Sequence, residues 1–296
     1  MKRFLRGALC VLLCCAALFG TVQGVAWASD AISPSVSESD EDRKRPDLED
    51  MRVYVGGLLS GRAFKNGDDV YMSLADISEI YNVKLNISLS ENGFTVSAPS
   101  LEMKVEKDSG YVEVNGRYLY LPDGYIVCGD DVYLPIDIIS RVFSLGAEIK
   151  DGSVQINATQ VRMISGGENY YETTFSADEL YWLPHIAYVE SFEQPLAGIM
   201  GVINVVLNRV EDEDFPDTIF EVIYDSEHTI QFTPASLGSM HGTPTELYYI
   251  ATYLVLEGYN AVGESLYYVN PENNANYWFR ENLEYVTTIG DHEFYK

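Results

Sequence analysis

Twenty residues beginning at Asn66, "NGDDVYMSLADISEIYNVKL", return in altered form from Cys128 as "CGDDVYLPIDIISRVFSLGA". The offset of 62 residues holds without a gap from Gly67 and Gly129 to Tyr81 and Phe143. A duplicated stretch commits a chain to one supersecondary unit used twice. Each copy reads as a Gly-Asp-Asp turn, a short strand ("VYM", "VYL") and a short helix. The helices carry apolar residues at helical spacing: Ile77, Ile80 and Tyr81, then Ile139, Val142 and Phe143. Alternating segments follow, "LNISLS" and "GFTVSA" in the first copy, "AEIKD" and "SVQINA" in the second. Between the copies, Asn115-Gly116 centres a hairpin. Residues 52–160 are therefore expected to form a small N-terminal α+β domain made of two repeats. No histidine precedes His185, so this region lacks the imidazoles of a copper site, and Gly-Asp-Asp is turn chemistry rather than a calcium loop.

The flanks of the repeat set its context. Lys2, Arg3 and Arg6 precede the apolar run "ALCVLLCCAALF", and "AWA" ends at Ala28. This is the pattern of a secretory signal peptide over residues 1–28, too short for a spanning helix. Leu13 and Cys14 stand where a lipobox wants Gly or Ala, so no lipid anchor is expected. Cleavage would remove Cys10, Cys14 and Cys15 and leave Cys128, read as a half-buried small hydrophobe rather than a reactive thiol, with no disulfide to make. Residues 29–51 are acidic and poor in large apolar groups, and 161–175 carry "SGG"; both read as linkers. The formal net charge is −26, and loss of the three N-terminal cations makes it three units more negative. Such a field opposes nucleic acid and anionic membranes. It also argues against attachment to an anionic wall polymer by charge alone, and a secreted protein with no stable membrane insertion after signal cleavage is the expectation.

Residues 176–296 read differently. Ser176-Ala-Asp-Glu179 is a capping box, followed at helical spacing by Leu180, Leu183, Ile186, Ala187 and Glu190. Pro184 inside this pattern predicts a kink or a restart. A second helix, from about Pro195 to Val210, carries a wide apolar stripe, with Gly198 and Gly201 for close packing. Thr243-Pro-Thr-Glu246 opens another helix that stops at Gly258, and the aromatic tail suggests short strands. The domain is expected to be mainly helical with a small β part. Glu190 stands where one apolar helix ends just ahead of another. From spacing alone, a solvated helix-end carboxylate is the ordinary reading.

Two resemblances sharpen these expectations. Residues 52–160, with their duplicated turn–strand–helix unit, resemble the N-terminal-like domain of copper amine oxidases, here without copper ligands, which implies a spacer or a wall-facing adhesion module. From about Leu180 onward, "AYVESFEQPLAGIMGVINVVLNRVEDEDFPDTIFEVIYD", "QFTPASLG", "SLYYVNP" and "TTIGDHEFY" resemble, in order, the bacterial cell wall hydrolase family of the spore-cortex-lytic SleB type. That resemblance implies a lysozyme-like catalytic fold, cleavage of the MurNAc–GlcNAc backbone of peptidoglycan, a lytic transglycosylase reaction giving 1,6-anhydro products, and a role in spore cortex lysis. The family's A-E-x-x-G-E-P-like motif matches "VESFEQP" and places the catalytic role on Glu190. Val189 and Glu193-Gln194 depart from the motif, so a second catalytic glutamate is missing.

The chemistry suits one carboxyl. Protonating a glycosidic oxygen near neutral pH needs a carboxylic acid whose pKa is raised by an apolar setting. Glu193 is a nearby alternative acid. By the resemblance, Gln231 and Phe232 would line a groove, Tyr267, Tyr268 and Asn270 would bind sugar, and His292 would orient a groove residue; strand packing is the alternative for these rings. The four histidines have no tight ligand spacing, so neither metal nor cofactor is expected. A catalytically silent wall-binding protein is the alternative to an enzyme.

Overall fold

The computed structural model describes residues 49–157, 160–166, 177–225, 232, 242–272 and 278–296. The expected signal peptide, most of the acidic linker, Ser176 and Gln231 lie outside the described residues.

The repeat folds as its turn chemistry dictates. In chain order the first part comprises β1 (Glu49–Val55), β2 (Leu58–Asn66), β3 (Asp69–Ser73), α1 (Leu74–Ile80), β4 (Asn86–Ser90), β5 (Gly93–Ala98), β6 (Leu101–Glu106), β7 (Tyr111–Val114), β8 (Arg117–Tyr120), β9 (Ile126–Cys128), β10 (Asp131–Pro135), α2 (Ile136–Phe143), β11 (Ala147–Lys150) and β12 (Ser153–Ile156). Strands β3 and β10 pair antiparallel, with Met72 opposite Leu134, Tyr71 opposite Pro135 and Ser73 opposite Tyr133. These are the residues that the repeat relates to one another, so the register maps onto itself when the copies are exchanged. The duplication is thus arranged about a local two-fold axis through Met72 and Leu134, the geometry of an isologous dimer contained in one chain.

The copies differ at their caps. Ser73 Oγ accepts from Asp76 N at 2.9 Å and donates to the buried Asp131 Oδ2 at 2.6 Å, while Asp131 Oδ1 accepts from Ala75 N at 3.2 Å. Asp131 of the second copy therefore caps the helix of the first. The return arrangement is lost, because Pro135 stands in place of the serine. Asp69 meets other acids instead: burial, then the Asp123 carboxyl, hold it above its ordinary value.

The arms after the helices go separate ways. Strands β11 and β12 join a seven-stranded sheet in the order β11-β12-β1-β2-β3-β10-β9, where β1 and β12 run parallel. Strands β4 and β5 belong to an antiparallel five-stranded sheet, β4-β5-β6-β7-β8. The hairpin at Asn115-Gly116 forms with φ of 51° and 75°, the paired left-handed residues that a tight two-residue loop requires. Cys128 is buried beside Phe64, Tyr71 and Tyr133.

Two sequence expectations need correction here. Strand β1 starts at Glu49 and buries Met51, so the folded part reaches into the segment read as acidic linker. The start of the second linker is pinned: Arg162 N donates to Phe143 O at 3.1 Å, Ile164 N to Val142 O at 2.8 Å, and Val161, Met163 and Ile164 pack on the core. The part expected to be α+β holds two helices, of 7 and 8 residues, among its strands.

The second part, expected to be mainly helical, mixes helices with strands; its helices are α3 (Ala177–Glu190), α4 (Leu196–Glu211), α5 (Ile219–Ile223), α6 (Glu246–Leu256) and α7 (Trp278–Asn282). Strands β13 (Tyr267–Val269), β14 (Tyr285–Ile289) and β15 (His292–Tyr295) form a small sheet in the order β13-β15-β14. Helix α4 is the centre, buried without interruption from Gly198 to Val206 and packed by α3, α5 and α6. Gly201 is where it meets β15: a Cβ there would lie 2.6 Å from Phe294 Cζ. Helix α3 runs through Pro184 without the restart predicted from sequence. Leu183 to Ala187 are all buried, so tertiary packing holds the helix across the proline.

The two parts share a face and are not joined as a spacer to a cargo; both lie in one compact unit. Tyr111, Tyr118 and Tyr120 pack on the second core, and Tyr259 touches both cores. Arg117 grips Glu257 with two bonds, 2.7 and 2.8 Å, and the Arg141 guanidinium lies 4.5 Å over the Tyr259 ring.

Candidate active site

Glu190 is the last residue of α3, and the chain turns sharply after it. Ser191 N and Oγ both donate back to Ala187 O, at 2.9 and 2.5 Å. Glu193 takes a left-handed backbone, φ 61°, at the position where glycine is common in the motif. Gln194 then clamps the turn to the β14–β15 hairpin: its Nε2 donates to Asp291 Oδ2 at 3.1 Å, and its Oε1 accepts from Asp291 N at 2.9 Å. The residue at the lost second glutamate is a structural tie.

Across from this turn, β13 presents Tyr268. Its hydroxyl donates to Glu190 Oε2 at 2.9 Å. Glu190 Oε1 is buried and makes no hydrogen bond among the described residues. Burial pushes the carboxyl up to about 7, opposed by the Tyr268 bond, which favours the charged form. Tyr268 is itself buried, and burial beside the carboxylate holds its phenol well above the ordinary value. The group is thus poised between acid and base at neutral pH, with a donor in place for the charged state.

Behind Tyr268 lies Arg209, from the last turn of α4. It is fully buried, and its Nε donates to Leu266 O at 2.7 Å, one residue before β13. Three rings face its guanidinium: Phe215 at 4.7 Å, Tyr267 at 5.1 Å and Phe232 at 5.5 Å. Burial lowers it to about 10, so it stays charged at neutral pH.

The residues singled out from sequence divide accordingly. Tyr268 reaches Glu190 through its hydroxyl, and its buried ring is no open platform for a sugar. Phe232 is also buried, 6.2 Å from the Tyr268 ring, and so is core, where a groove wall was expected. The buried His292 ring lies 5.0 Å from that of Tyr268, and burial lowers its pKa, favouring the neutral imidazole. Tyr267 is half-buried against Arg209. Asn270 Oδ1 accepts from Glu272 N at 3.0 Å and closes a turn. Glu193 is exposed. Phe192, two residues past Glu190, is 66% exposed. Among the described residues no group of His, Cys, Asp and Glu is arranged to hold a metal.

Sequence reasoning passed over Arg209 and the Gln194 tie. The signal for Arg209 was present: within Leu196–Glu211 it is the only charged residue before the terminal Glu211. The Gln194 tie joins residues 97 apart in sequence, and no local pattern announces it.

Comparisons with known proteins bear on this part of the chain. The family described as Cell Wall Hydrolase matches residues 193–295, which include Arg209, Tyr268 and His292 and begin three residues past Glu190. A spore cortex-lytic enzyme of Bacillus cereus is 30% identical over 122 residues, 41% of this chain and 46% of that protein. Those of Halalkalibacterium halodurans and Bacillus subtilis are 28% identical over 120 residues, covering 35% and 38% of their own lengths. The chain spans less than half the length of these relatives. Among solved structures, the catalytic domain of the germination-specific lytic transglycosylase SleB from Bacillus anthracis is 30% identical, with 42% of this chain and 98% of that one covered and a TM-score of 0.38. The SleB catalytic domain of Bacillus cereus gives the same identity and TM-score over 45% of this chain and all of that one. The chain therefore carries at its C-terminus a cell wall hydrolase domain homologous to the spore cortex-lytic enzymes.

Proposed function

We propose that this protein cleaves the MurNAc–GlcNAc backbone of peptidoglycan as a lytic transglycosylase, with Glu190 as its single acid and base on a lysozyme-like domain. The observation that carries the reading is the Glu190 carboxyl: buried at a helix end, raised to about 7, and bonded by a tyrosine hydroxyl that favours its ionised form. In the first step the protonated carboxyl gives its proton to the glycosidic oxygen, and the C1–O bond breaks with its electron pair leaving on that oxygen. The Tyr268 bond then stabilises the carboxylate. In the second step the carboxylate takes the proton of the muramic acid C6 hydroxyl as that oxygen bonds to C1. A 1,6-anhydro ring forms without water, and Glu190 is again protonated. One carboxyl suffices, where hydrolysis by a pair would need two.

The loss of the family's second glutamate leaves a single-acid mechanism intact. Gln194 ties the turn, and Pro184 is accommodated within α3. The homologues' names, spore cortex-lytic enzyme, support secretion to a wall or cortex substrate. We assign residues 52–160 to the copper amine oxidase N-terminal-like class on the strength of the duplicated unit, with a role in steadying the hydrolase domain.

Digestion of purified peptidoglycan with the chain lacking residues 1–28, and with its Glu190→Gln variant, tests the reading by mass spectrometry. Anhydro-muropeptides from the parent and none from the variant are expected. Hydrated ends would make it a hydrolase, and sacculi bound but uncut would leave a wall-binding protein.

A further inference from the structure

Helix α4 buries a full positive charge that the proposed chemistry does not use. Arg209 is 0% exposed on a helix whose buried face is otherwise almost wholly apolar. An arginine in such a place is costly unless its bonds and stacking partners are well arranged. Two of them lie on the approach to β13. Its Nε holds Leu266 O at 2.7 Å, two residues before Tyr268. Its guanidinium lies against the Tyr267 ring, one residue before Tyr268. The neighbouring Asn208 Nδ2 donates to Gly263 O at 2.8 Å and Ser265 O at 2.9 Å, so the end of α4 grips the same segment. The segment needs this grip, because β13 is three residues long and is an edge strand paired to β15.

We propose that Arg209 is a positioning residue for Glu190: by holding Leu266 and stacking on Tyr267 it keeps the Tyr268 hydroxyl on the Glu190 carboxylate. It acts through Tyr268 and touches no reacting atom. The groups that bear on this pair electrostatically are few. Among the described residues Tyr268 is the side chain whose bond shifts Glu190; Tyr267, Tyr268 and Asp225 face Arg209; and His292 lies against the Tyr268 ring. The inference rests on Glu190 being the acid, but its consequence can be read without any cleavage.

The test follows the titration of the Glu190 carboxyl carbon by NMR in the full chain, for the parent, Tyr268→Phe, Arg209→Lys and the double variant, with circular dichroism confirming the fold of each. A hydrogen bond to a charged group is worth enough that its loss should raise the Glu190 pKa by about 1–2 pH units in Tyr268→Phe. Arg209→Lys keeps the charge but loses the Nε fork and the planar stack, and should reproduce most of that rise. In the double variant the two changes should not add, because both remove the same bond. If Arg209→Lys does not fold, Phe215→Leu, which trims one ring from the guanidinium, should move the titration upward by a smaller amount. A folded Arg209→Lys, or in its absence Phe215→Leu, in which Glu190 titrates as in the parent would overturn the proposal, as would strictly additive shifts. Should Glu190→Gln still cut glycan, the proposed function would fall while this result would stand on its own.

Discussion

Replacing Glu190 by glutamine should stabilise the protein above neutral pH and leave it unchanged in acid. The folded carboxyl titrates near 7, against 4.5 when unconstrained. Between those values the native state holds a proton that the unfolded chain has released. Stability contributed by this group therefore falls as pH rises through about 4.5 to 7, and it stays low above that window. At ~1.4 kcal/mol per pH unit the full penalty is about 3 kcal/mol. Glutamine mimics the protonated acid: it still accepts from Tyr268 and never ionises. Urea unfolding of parent and variant at steps from pH 4 to 9, followed by circular dichroism, gives the difference directly, because all other titrating groups cancel. The variant should match the parent near pH 4 and gain progressively to a plateau of about 3 kcal/mol above pH 8. A pH-independent difference, or a variant less stable than the parent at pH 8, would refute the claim that burial holds this carboxyl in its acid form. The expected sign is itself informative, since a side chain that costs stability at working pH is retained for what it does.

Three further outcomes follow from the packing. Glu193→Gly removes a left-handed backbone strain at φ 61° and should raise stability by about 1 kcal/mol without altering the Glu190 titration, as urea midpoints and NMR would show. Gly201→Ala drives a methyl to 2.6 Å from Phe294 Cζ and should cost about 1–3 kcal/mol, read as a lowered melting temperature. Arg117→Met strips the bidentate partner from Glu257, whose side chain is 5% exposed; the loss should be roughly 2–3 kcal/mol, below the usual cost of an orphaned buried charge because Arg141 stays 3.7 Å away. Calorimetry should then resolve two transitions, one for each part of the chain, where the parent should show one.

Much of this molecule was legible because its information is local. The repeat, its Gly-Asp-Asp turns and the Asn115-Gly116 hairpin are short-range backbone instructions, and each formed where the residues placed it. The apolar run of α4 and the position of Glu190 at the end of α3 were likewise written in spacing. Other features depend on residues far apart in sequence. The two arms of the repeat carry the same alternation, yet one joins the seven-stranded sheet and the other the five-stranded sheet, because their neighbours β1 and β6 differ. Pro184 should have kinked or restarted its helix by local rules, and with the residues around it buried the helix continues through it. Tyr268 and Phe232 looked like sugar platforms by type, and the fold turned both inward. Sequence determined that a carboxyl would sit at the edge of an apolar core. Tertiary structure alone decided its protonation, because burial raises it and the tyrosine that tempers it comes from 78 residues away, where no periodicity can reach.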